Sequence, residues 1–195
     1  IISAASCSTN ALAPVVNILN DYAPIQSGIM TVVHGFTATQ MLVDKPQKKG
    51  NYRRSRAASS NIVPTTAEAA KAVGIVIPQL NGKLIGSAIR VPVPVGCYIT
   101  LTAVVYGNDI STDTVNNVMK NASSESFGYT EEEYVSSDII GNTYASIFDA
   151  TQTLVNQINP NLYQVRVSAW FDNENSFASQ MVRTLKYAVT LSSTN

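Results

Sequence analysis

A chain of 195 residues, 45% hydrophobic and 13% charged, can bury about 70% of its unfolded surface in one domain or two small ones, with no need of disulfides or a structural metal. Its 13 basic and 13 acidic side chains cancel, which excludes a nucleic-acid domain, because phosphate affinity draws on a basic excess. The charged fraction is about half the ~25% of an ordinary soluble domain, so part of the surface is expected to lie against other protein.

The chain opens on Ile1-Ile2-Ser3-Ala4-Ala5, two β-formers running straight into a helix signal without Met or a basic segment, as a piece of a larger protein would. No apolar run reaches the ~20 residues that span a bilayer, so neither a membrane span nor a signal peptide is expected. Ser6 or Ser8 caps a helix over about Cys7 to Tyr22, with Leu12, Val15, Val16 and Leu19 at helical spacing and Pro14 as the one discordant residue. Ile25 to His34 reads as a strand with Met30, Val32 and His34 on one face. From Asp44 to Arg56 six basic residues stand against a single acid, and this stretch reads as a long ordered loop.

Thr65 to Val76 reads as a helix, Leu84 to Pro92 and Tyr98 to Tyr106 as strands, and Asp109 to Ser123 as a second capped helix. Ser146 to Asp149 and Gln164 to Phe171 complete the strands. Phe177 to Leu191 closes the chain as an amphipathic helix with Met181, Leu185 and Ala188 on one side. This order of elements predicts an α+β fold, and neither a repeat nor a Gly-x-Gly-x-x-Gly fingerprint occurs in it.

Cys7 and Cys97 make no metal-ligand spacing with the lone histidine, His34, and a reducing, cytoplasmic setting is expected. A cysteine in the first turn of a helix meets unpaired amide donors and the positive end of the dipole, which lowers a thiol below its free pKa of ~8.5. Cys7 is so placed, and His34 at a strand end can take its proton, a nucleophile and base for covalent catalysis. Spacing alone leaves the plainer reading open, a small buried cysteine and a satisfied core histidine. Cys97, in Gly96-Cys97-Tyr98, reads as a small core residue.

The flanking residues add a resemblance. Ser6-Cys7-Ser8-Thr9-Asn10, Thr31-Val32-Val33-His34-Gly35-Phe36-Thr37, Arg53-Arg54-Ser55-Arg56-Ala57-Ala58 and Asn61-Ile62-Val63-Pro64 come in order along the chain. Ala69-Ala70-Lys71-Ala72-Val73, Leu80-Asn81-Gly82-Lys83-Leu84, Arg90-Val91-Pro92, Ser136-Ser137-Asp138 and Trp170-Phe171-Asp172-Asn173-Glu174 follow. Together they resemble the catalytic, C-terminal domain of bacterial-type phosphorylating glyceraldehyde-3-phosphate dehydrogenases over nearly the whole chain. The resemblance implies a mostly antiparallel mixed sheet with helices on one face, and a separate Rossmann domain for the dinucleotide.

It further implies Cys7 as nucleophile and His34 as base in the glycolytic oxidation of glyceraldehyde 3-phosphate, with hydride passing to NAD, or to NADP, whose exclusion the missing half would decide. Arg90 then stands between two phosphates. Thr37 contacts the substrate phosphate with Thr39 nearby, and Ser6, Ser8 and Arg54 serve inorganic phosphate. Asn173 holds the nicotinamide carboxamide, and Phe177 stands where a tyrosine is usual. The basic stretch becomes part of an S-shaped loop, about residues 37 to 64, against a neighbouring subunit of a homotetramer. Ala67-Glu68 replaces a threonine and a glycine that donate to the attacking phosphate; Thr66 is the nearest hydroxyl, and a carboxylate turned inward would repel the anion. An erythrose-4-phosphate dehydrogenase, a Cys-His hydrolase and a noncatalytic assembly module are the competing readings, and the 195 residues alone are expected to be inactive, for want of a site for the dinucleotide's adenosine and pyrophosphate.

Overall fold

The hydroxyl of Ser6 accepts a hydrogen bond from the backbone N–H of Thr9, and this cap starts helix α1, Cys7–Tyr22, in a computed structural model that describes residues 2–47 and 50–193. Ile1 of the opening segment and Lys48 and Lys49 of the basic loop lie outside the described residues. Pro14 removes one intrahelical bond, yet α1 runs through it because Ala11, Leu12, Val15, Val16 and Leu19, none more than 2% exposed, are buried in the core. Packing outweighs local propensity at this position.

The strands are β1 (Ile25–Gly35), β2 (Val63–Thr66), β3 (Leu84–Val91), β4 (Cys97–Tyr106), β5 (Phe127–Thr130), β6 (Ser146–Asp149), β7 (Leu154–Asn159) and β8 (Leu162–Phe171). With α2 (Ala69–Val76), α3 (Thr112–Asn121) and α4 (Asn175–Ser193) they complete the described elements apart from short 3₁₀ turns. The sheet runs β2-β3-β1-β4-β8-β6-β5, with β7 beside β8. β1 pairs with β3 and β5 with β6 in parallel, and every other pairing is antiparallel. The architecture is therefore the expected α+β mixed sheet. Cys97, Ile99, Leu101, Ala103 and Val105 of β4 form one core with the apolar face of α1, while the alternate residues of β4 stay partly or fully exposed.

The structure departs from the sequence reading in four places. Thr65 and Thr66 belong not to a helix but to β2, whose antiparallel register sets Val63 opposite Arg90 and Thr66 opposite Ser87; α2 begins only at Ala69. Two β-branched residues beside an edge position that tolerates Pro64 favour the strand once β3 offers a partner. The second capped helix starts at Thr112, after a capping box on Ser111, because Asp109 adopts φ +55°. β5 and β7 were not foreseen, since β5 is nearly all buried and β7 almost all exposed, so neither alternates. Met181 and Leu185 of α4 are 41% and 55% exposed, so the apolar side expected of that helix is not buried by the rest of the described chain.

The described residues of the loop between β1 and β2 are tied together by their own backbone: Met41 N–H donates to the Arg54 carbonyl at 3.1 Å and Ala58 N–H to the Met41 carbonyl at 2.8 Å. Gly96, at φ +93°, turns the chain into β4 with its Cα against the carbonyl of Ser136, where an added Cβ would overlap that oxygen. Gly96→Ala is expected to cost about 3 kcal/mol or more, read as a lowered urea midpoint with unchanged slope.

Candidate active site

Immediately before α1 the backbone is strained, with Ala5 at φ +57°. Asn10 holds it there, its Nδ2 donating to the carbonyls of Ala4 and Ser6 at 2.7 and 2.9 Å, on either side of Ala5. The bend delivers Cys7 to the first turn of the helix, where its Sγ lies 3.5 Å from Nε2 of His34 at the end of β1. The parallel register of β1 and β3 sets His34 directly beside Arg90. Arg90 Nη1 lies 2.8 Å from the Gly35 carbonyl and 2.8 Å from His34 Nδ1, which is itself 2.7 Å from that carbonyl. Both donors are satisfied when Nδ1–H and Nη1–H share the two lone pairs of Gly35, leaving Nε2 to accept the Cys7 proton. A ring contact with Phe171, centroids 6.0 Å apart and planes at 77°, supports the imidazole from the side.

Cys7, His34 and Arg90 line a cavity of about 430 Å³ together with Ser6, Ser8, Thr66 and Glu68. Its electrostatics reverse one expectation. Burial pushes the Cys7 thiol up, and the amides of Ser8 and Cys7 and the charge of Arg90 offset this only in part. Burial likewise lowers His34, with help from the Arg90 cation, to about 4. Both shifts favour a neutral thiol and a neutral imidazole over the ion pair, because removing charge from water costs more here than the helix amides return.

Thr37, Thr39 and Arg54 form a second cluster in the loop after β1: the threonine hydroxyls are 3.0 Å apart, and Arg54 donates to Thr39 Oγ1 at 2.6 Å and to Thr65 Oγ1 at 3.4 Å. The Arg54 charge acts on both Arg90 and His34, which ties this cluster to the first. Asn173 stands apart from the cavity lining and joins the site through Cys97, whose Sγ donates to its Oδ1 at 3.3 Å. Asp172, 2% exposed, accepts from Glu174 and Asn175 N–H, both at 2.8 Å, and so holds the turn that carries Asn173. Phe177 is half-buried on α4 and shares no hydrogen bond or ring contact with the other candidates among the described residues.

The sequence reading missed Thr65, Phe171 and Asp172, while Cys97 is the small core residue it was read as, buried with the inward face of β4. The Tyr98 to Tyr106 alternation, extended back one residue, puts it on that face with Ile99. Arg54, Arg90 and the hydroxyls gather hydrogen-bond donors and positive charge of the kind anions take, and Asn173 adds an amide. No group of three or more His, Cys, Asp or Glu able to hold a metal occurs among the described residues, and no helix among them is long and apolar enough to cross a membrane.

The sequence profile of the family described as glyceraldehyde 3-phosphate dehydrogenase, C-terminal domain, matches residues 6–173. The chain is 51% identical over 187 residues to a glyceraldehyde-3-phosphate dehydrogenase of Streptococcus pyogenes, covering 96% of this chain and 55% of that protein. The dehydrogenase of Streptococcus pyogenes serotype M1 matches to the same extent, 51% identical over 187 residues. The chain thus spans about half the length of the curated relatives it matches, 55% in each case.

Proposed function

Because the chain belongs to the family of the glyceraldehyde-3-phosphate dehydrogenase C-terminal domain, we propose that it is the catalytic domain of a glycolytic, phosphorylating aldehyde dehydrogenase. Its substrates are glyceraldehyde 3-phosphate and inorganic phosphate, and its hydride acceptor is NAD, with NADP as the alternative. The dinucleotide's adenosine and pyrophosphate bind a Rossmann domain in a part of the protein outside residues 1–195. Two observations support that division: the chain covers 55% of its relatives, and the apolar side of α4 is left about half exposed by the described residues.

The observation that carries the reading is the 3.5 Å approach of Cys7 Sγ to His34 Nε2 beside the Arg90 guanidinium. His34 takes the thiol proton as Sγ bonds to the aldehyde carbon, and the amide at Cys7 steadies the oxygen as it gains charge. His34 returns that proton to the oxygen, completing the thiohemiacetal, and takes it back from the hydroxyl as the hydride leaves the carbon, so that a thioester stands on Cys7 and the proton on His34. Nicotinamide, when bound, accepts the hydride. A phosphate oxygen then attacks the thioester carbon, the phosphate giving up its proton to water, the C–S bond breaks, and 1,3-bisphosphoglycerate leaves as the Cys7 sulfur takes the proton back from His34, which restores the neutral pair.

Arg90 lies between the two phosphates, with Thr37, and Thr39 beside it, on the substrate side and Ser6, Ser8, Arg54 and Thr66 toward the attacking anion. An anion bound at Arg90 offsets the cation that disfavours protonated His34, so the base strengthens once substrate is in place. Glu68 lines the same cavity and opposes the attacking phosphate. Asn173 presents its amide to the nicotinamide carboxamide, with Phe177 near that ring.

The outer face of the sheet exposes Ile29 and Ile85 at 58% and 63%, which supports subunit contacts in a homotetramer, and the loop over 37–64 is the arm placed against a neighbour. The setting is the cytoplasm. Rapid mixing of the full-length protein with glyceraldehyde 3-phosphate and NAD, without phosphate, is expected to release about one NADH per site and stall, and added phosphate to restore turnover. A missing burst, or hydrolysis that needs no dinucleotide, overturns the reading.

A further inference from the structure

Cys97 lies beneath the site, between Gly35 and Asn173, and performs none of the chemistry above. It is 1% exposed, and its Sγ is used twice: it accepts from Gly35 N–H at 3.4 Å and donates to Asn173 Oδ1 at 3.3 Å. The carbonyl of the same Gly35 takes the contacts of His34 and Arg90, at 2.7 and 2.8 Å, so one residue links the base, the anion-binding arginine and, through the thiol, the amide. The β4–β8 register places Cys97 opposite Phe171, two positions before Asn173, which brings the thiol under that turn.

Since Gly35 N–H already fills an acceptor position on Sγ, the thiol hydrogen is left for Oδ1. Burial pushes this thiol up to about 12, so it keeps its hydrogen throughout the working pH range. An asparagine amide held by its oxygen has its orientation settled, and Asn173 Nδ2 has no hydrogen-bond partner among the described residues. We propose that Cys97 is a positioning residue: by holding Oδ1 of Asn173 it locks the amide in one orientation, with Nδ2 free to donate to the carboxamide oxygen of nicotinamide. The inference rests on the reading of Asn173 given under the proposed function.

Calorimetric titration of the full-length protein with NAD and with ADP-ribose, which lacks the nicotinamide, separates positioning from general structure. Cys97→Ala is expected to weaken NAD by about fivefold to tenfold while ADP-ribose stays within about twofold, and Cys97→Ser, which keeps a donor, is expected to recover most of the NAD affinity. Cys97→Val, filling the volume without a donor, carries the same test if the alanine variant does not fold. Equal weakening of both ligands, or of neither, overturns the positioning role while a wild type that binds both leaves the proposed function standing. A wild type that binds neither overturns both.

Discussion

Full-length protein carrying Cys7→Ser is expected to lose on the order of 10⁴-fold or more in kcat, with its melting temperature nearly unchanged. The exchange is almost isosteric at a half-buried position, so packing is kept. What it removes is acidity: even a thiol raised by burial is far more acidic than an alcohol, and a His34 held near 4 is too weak a base to activate serine. Single-turnover release of NADH is the measurement, because it isolates acylation from product release. A Cys7→Ser loss below about 100-fold would show that another group is the nucleophile.

The second large effect is in pH. His34 is the single histidine of residues 1–195, its ring proton resonance is assigned by its loss in His34→Asn, and in the anion-free protein it is expected to titrate near 4 rather than 6.5. Inorganic phosphate or sulfate, by covering Arg90, is expected to move that midpoint upward. The same shift enters stability. Between 6.5 and about 4 the unfolded chain binds a proton that the folded one refuses, so His34 supports the fold fully above 6.5 and loses that support as pH falls toward 4. The amount is about 3 kcal/mol. Urea unfolding at pH 7 and pH 4 should show His34→Asn losing less stability than wild type by about that much, the carboxylates being common to both. Equal losses would mean that the imidazole is solvated and not buried against Arg90.

The neutral Cys7–His34 pair shows where local reasoning stops. A cysteine in a first helical turn reads as acidic, and its amides and the nearby guanidinium do act in that direction. Their sum is smaller than the desolvation imposed by β1 and β3, and desolvation comes from elements far away in the chain. Thr65 and Thr66 make the same point for backbone: their neighbours read as helix, but β3 supplies ladder bonds and the segment becomes an edge strand. Residues 127–130 and 154–159 had no periodic signal to find, since β5 is nearly all buried and β7 almost all exposed.

What the sequence determined alone were features built within a few residues. The cap and stripe of α1 and the shared face of Met30, Val32 and His34 are of that kind, because caps and periodicity act over one or two turns. The ordered run of short segments around Cys7, His34, Arg90 and Asn173 was equally legible, and so was the family. Only the tertiary structure decided which of these residues touch. Cys7 meets His34 across a helix start and a strand end, Arg90 reaches His34 through a parallel register, and Cys97 joins Asn173 to Gly35 from a third strand. Those distances, and the charge states they impose, follow from how the sheet is ordered and how much water it excludes, and no local pattern encodes either.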